Sequence, residues 1–128
     1  MTTTTFDFGQ GPVRAHKHPN GGGWVANTAS VADTAFVGPD ARVYGRAKVR
    51  GYARVLDNAE VFGNAEVTDS VRVYDNARVH GYAWLEGNAR VYGNAEVFGN
   101  VRVYGLAEVF GNARVSGEAE VFGNAVFA

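Results

Sequence analysis

The chain has 128 residues, a single-domain length, and the 46% that are hydrophobic are largely Ala and Val, so any core must be narrow. There is no Cys, which excludes disulfides and thiolate metal sites and leaves no argument for an oxidising compartment. Twelve basic residues against thirteen acidic ones, a net charge of −1, exclude the global positive field of a general nucleic-acid binder.

Residues 1–22 stand outside the pattern that fills the rest of the chain and read as an N-terminal tail followed by a Gly-rich cap or loop. The opening MTTTTFDFGQG lacks the basic and apolar regions of a signal peptide, and no apolar run approaches membrane-spanning length. The expectation is a soluble cytoplasmic protein with no membrane partner. Phe6, Phe8 and Val13 are the apolar residues available to dock this segment. The stretch RAHKHPNGGG from Arg14 to Gly23 reads as a mobile, turn-rich loop. Within it His16 and His18, alternate residues of an extended segment, are candidate metal ligands, with no third ligand in view.

From Gly23 a six-residue phrase repeats without a slip to the end of the sequence. Val25, Val31, Val37 and every sixth residue through Leu85 and Val121 to Phe127 are apolar, and two residues before each sits a small one, usually Ala. Positions two apart share a face of an extended strand, so this face is the core and the residue between them, mostly Arg or Glu, points outward. Gly followed by Asn, as in Gly63-Asn64 and Gly93-Asn94, supplies corners that take left-handed backbone angles. A helix would need apolar spacing of three to four and is excluded. A fixed period of this kind marks a solenoid.

Charge sets the size of one coil. Residues stacked in adjacent coils lie ~4.8 Å apart, where like charges repel and opposite charges attract. Outward residues eighteen apart give seven opposite-sign pairs and two like-sign pairs; twelve apart gives four against six, and twenty-four apart gives three against five. Three strands per coil alone make the surface complementary, most clearly in Arg42, Glu60, Arg78, Glu96 and Arg114. The predicted architecture is therefore an all-β triangular solenoid, a single-stranded parallel β-helix of six 18-residue coils over residues 23–128. Its last coil ends without a polar cap, an unpaired edge that invites another chain.

The hexads resemble the left-handed β-helix, hexapeptide-repeat proteins: Val91-Tyr92-Gly93-Asn94-Ala95-Glu96 fits their pattern at the aliphatic, Asn and small positions, and the resemblance covers residues 23–128. Left-handedness is what this resemblance implies; general crossover chirality favours the opposite hand. Tyr or Phe after the aliphatic departs from the common pattern. With the lead-in Gly22-Gly23-Trp24-Val25, it is similar to uncharacterised repeat proteins of enteric bacteria and tailed phages. Many members of the wider family are trimeric acyltransferases. That activity would need a catalytic His and usually a loop extruded from a coil; His80 is the single His of the solenoid, and no coil carries an insertion.

Two outward features compete for function. Sorted by column, the aromatics run Tyr44, Phe62, His80, Phe98 on one face, Leu56, Tyr74, Tyr92, Phe110 on another, and Tyr104, Phe122 on the third. They either stack on one another along the rod or form an association surface, and Tyr44, Phe62, Phe98, Phe110, Tyr104 and Phe122 are the expected oligomer interface. Arg54, Arg72 and Arg90 break the charge alternation beside Tyr74 and Tyr92. Either Asp57, Asp75 and Glu108 neutralise them, or these five residues hold a phosphate- or carboxylate-bearing ligand. The reading is a homo-oligomeric structural or binding protein, a trimer or an end-to-end dimer, without catalytic activity or cofactor. The alternatives are capture of a small anionic ligand such as a nucleotide or sugar phosphate, which fits a phage-encoded protein, and the acyltransferase.

Overall fold

Each hexad folds into a two-residue strand and a corner because its Val points in while the residues on either side point out. The computed structural model describes residues 4–128, and these contain twenty strands and no helix. Strands β1 (Thr5–Asp7) and β2 (Pro12–Lys17) form an antiparallel hairpin, and β3 (Trp24–Ala26) opens the solenoid. The remaining seventeen, β4 to β20, follow at six-residue steps from Ser30–Val31 to Val126–Phe127.

Parallel pairing joins residues eighteen apart on all three faces, as in Arg42↔Glu60, Lys48↔Glu66 and Phe36↔Arg54. The first face runs from Trp24 through Arg42, Glu60, Arg78 and Glu96 to Arg114; the second from Ser30 to Glu120; the third from Phe36 to Val126. Three strands per coil are thus as the charges predicted, and about six coils as the length of the repeat predicted. The interior is a column of Val closed by Ala: Val43, Val61, Val79 and Val97 are fully buried, as are Ala59, Ala77 and Ala95. Leu85 is the largest side chain in it.

The corners differ from expectation in one respect. Left-handed φ belongs to the Gly position alone, not to the Asn after it. Gly81 has φ of +67°, and a Cβ there would lie 2.7 Å from the nitrogen of Gly99 in the next coil, so both conformation and close approach demand Gly. Asp57, Asp69 and Asp75 take the same left-handed φ, between 55° and 59°. Their carboxylates accept backbone N–H groups one coil on, from Asp75, Gly87 and Gly93, at 3.1, 2.9 and 3.0 Å. The following Asn contributes through its backbone, with Asn64 N–H donating to Gly81 O at 2.7 Å.

Residues 1–3 of the expected tail lie outside the described residues, and the segment from Thr5 on contains two strands where a tail and loop were expected. Pro12–Lys17 is a strand because it completes the open edge of the first face, pairing antiparallel with Trp24–Ala26 through Ala15↔Ala26 and Lys17↔Trp24. The turn after it covers the edge of the third face: Val37 N–H donates to Asn20 O, and Gly23 N–H donates to Val37 O. Phe6 stacks on Trp24 and Phe8 on Tyr44, each with ring centroids 4.8 Å apart. Among the described residues, no helix is long and apolar enough to cross a membrane.

Candidate functional site: the outward ladders

In each strand the outward residue precedes the inward Val and the ring follows it. A ring therefore lies diagonally beside the outward residue of the next coil, sixteen positions on. On the first face Phe8, Tyr44, Phe62, His80 and Phe98 form a continuous stack, with centroids 4.6–5.0 Å apart. Tyr44 OH donates to Glu60 Oε1 at 2.5 Å, and His80 Nε2 lies 3.0 Å from Glu96 Oε2. Phe62 and Phe98 meet cations instead: the Arg78 guanidinium lies 5.0 Å from the Phe62 centroid and that of Arg114 lies 5.4 Å from Phe98. From Tyr44 to Phe98 polar rings face carboxylates and apolar rings face guanidiniums, in strict alternation.

This diagonal arrangement perturbs the acids. Burial, reinforced by the Glu60 hydrogen bond, pushes the Tyr44 phenol up to about 12. On the third face Tyr92 OH donates to Glu108 Oε1 at 2.7 Å, and here that bond is the larger cause of a phenol also pushed up to about 12. The His80 hydrogen bond holds the Glu96 carboxyl below its ordinary range, with help from Arg114, whose Nε lies 3.2 Å from Glu96 Oε1. His80, the catalytic candidate, thus has an orienting carboxylate while its two ring faces are occupied by Phe62 and Phe98. The expected interface residues Tyr44, Phe62, Phe98, Phe110 and Tyr104 are half-buried in such stacks, and Phe122 is exposed.

On the third face the strand register sets Arg72 directly between Arg54 and Arg90. All three are exposed, and among the described residues none forms an ion pair. Asp57 and Asp75 turn to backbone N–H groups and Glu108 to Tyr92, so these acids do not bond the Arg column. Tyr74 and Tyr92 stack beside it at 4.9 Å. His16 and His18, the metal candidates, have separate roles. Exposed His16 is 2.7 Å from Asn27 Oδ1 through Nδ1, while buried His18 donates from Nε2 to Ala35 O at 2.8 Å and holds the cap on the third face. Among the described residues no three His, Asp or Glu converge as metal ligands.

The diagonal ring–charge pairing lies outside the comparison of outward residues at spacings of twelve, eighteen and twenty-four. The signal was present, since Tyr, Phe, His, Phe alternate in step with Glu, Arg, Glu, Arg at an offset of sixteen. One 17-residue stretch also carries a relationship to known sequences. Residues 71–87, one strand from each face, match the family model described as YdcK Beta solenoid repeat. The chain is a β-solenoid repeat protein. No curated protein and no solved structure gives a match.

Proposed function

We propose that this solenoid is a rigid scaffold that works through self-association of its sides. The observation that carries the reading is a set of exposed apolar side chains around one corner. Leu106, Phe122 and Val126 are 57, 54 and 59% exposed. Leu106 N–H donates to Gly123 O, which puts it one coil from the Phe122–Val126 segment that rounds the same corner. The half-buried ladder rings contribute stiffness and edge contacts, and Phe122 is the ring of the expected interface free to anchor a partner copy. Light scattering on the eluting protein should give a mass above one chain, reduced towards the monomer by Leu106→Ser with Phe122→Ser. A clean monomer at high concentration removes the proposal.

The unpaired Arg column favours a second reading, capture of an anionic ligand on the third face by Arg54, Arg72 and Arg90 beside Tyr74 and Tyr92. Three exposed guanidiniums in adjacent coils repel one another unless an anion bridges them. Titration with inorganic pyrophosphate should release heat that Arg72→Ala abolishes; equal heat from the variant removes this reading. The acyltransferase alternative would use His80 with Glu96, but a ring stacked on both sides and an uninterrupted register supply no acyl-donor cleft beside it.

A further inference from the structure

A cleft of about 770 Å³ lies between the N-terminal hairpin and the first face, remote in the fold from the Arg column. Val13 of the hairpin lines it together with the stacked rings of Phe8, Tyr44 and Phe62. Val13 is 46% exposed, although it is an apolar residue in a paired strand. Because Phe8, Tyr44 and Phe62 stack face to face, their faces are occupied, and the edges they present carry the positive part of the aromatic quadrupole.

Arg14 of β2 and Arg78 of the first face also line the cleft, and among the described residues no carboxylate does. Among the described residues neither guanidinium takes part in an ion pair. The carboxylates flanking Arg78 in its column, Glu60 and Glu96, are bonded to Tyr44 and His80. The rim is preformed: Asp7 Oδ1 accepts the N–H groups of Gly9 and Gly11 at 2.7 and 3.1 Å and fixes the hairpin loop. An apolar wall, positive ring edges and two cations outside any described ion pair, one of them resting on the Phe62 ring, in a space of ligand size select for one chemistry.

We propose that this cleft binds a small amphiphilic anion, an aromatic or aliphatic body carrying a single carboxylate, sulfonate or phosphate. The body lies against Val13 and the ring edges, and the head group lies between Arg14 and Arg78. Anilinonaphthalenesulfonate is a direct probe, and phenylnaphthylamine is its near-isosteric neutral control. One anionic probe per chain should bind with enhanced fluorescence. Arg14→Gln and Arg78→Gln, both at exposed positions, should each weaken it about tenfold while leaving the neutral probe unchanged. Val13→Asp should abolish binding of the anionic probe.

Four results would overturn the proposal. The first is unchanged affinity in both Arg variants, and the second is neutral binding as tight as anionic. The third is loss of fluorescence in Leu106→Ser with Phe122→Ser, which would move the probe to the corner patch. Affinity that falls as protein concentration rises would assign the cleft to a second copy of the chain and equally refute a small-molecule site.

Discussion

At the scale of single residues, the same side-chain type takes its properties from what lies one coil away. Tyr44 and Tyr92 both have phenols raised from the ordinary 10.0 to about 12, the first chiefly by burial and the second chiefly by its bond to Glu108. Glu108→Gln should therefore lower the Tyr92 value more than Glu60→Gln lowers that of Tyr44, read by phenolate absorbance. The sign for stability follows from linkage: a pKa raised on folding means the unfolded chain loses its proton first. The stabilisation is complete below pH 10 and disappears as pH rises through about 12. Backbone and core positions are equally specific. Gly81→Ala should cost about 1–2 kcal/mol from left-handed strain alone, with more from its approach to Gly99. Leu85→Ala should cost about 2–5 kcal/mol by leaving a cavity. Urea denaturation measures both.

At the scale of strands, two-residue elements have too little backbone pairing to fold alone, so each depends on its neighbours above and below. The ladders add to that coupling through ring stacking at 4.6–5.4 Å and through diagonal ring–charge contacts. Glu96 is the clearest junction, since it meets His80 and Arg114 together. Its pKa is lowered below 4.5 on folding, so its contribution is present above that pH and is lost as pH falls through the lowered value. Urea midpoints measured in steps below pH 4.5 should fall less steeply in Glu96→Gln than in the parent. The strand period and coil size were legible because they repeat in every hexad and any one of them reports the rule. The hairpin was not legible: Pro12–Lys17 is extended because it fills an edge made by Trp24–Ala26, and that requirement is absent from its own composition.

For the whole molecule, the period is a continuity condition. Deleting Val73 alone would turn every later core residue outward, and the purified variant should lack the β circular-dichroism signal. Removing residues 71–88, one complete coil, keeps the core in phase and should leave a folded protein. Its stability should fall, because Glu60 would then stack on Glu96 in place of Arg78. The sequence by itself determined the period, the inward and outward positions, the three-strand coil and the unequal charge columns. All of these are properties of spacing, repeated often enough to overdetermine the answer. Tertiary structure decided the rest. The offset of sixteen exists because a ring and its partner straddle the Val of successive strands. His18 became a cap, and Arg14 came to share a cleft with Arg78, because a non-repeating hairpin folded back on the first face. Contacts of that kind occur once, so no recurring pattern announces them.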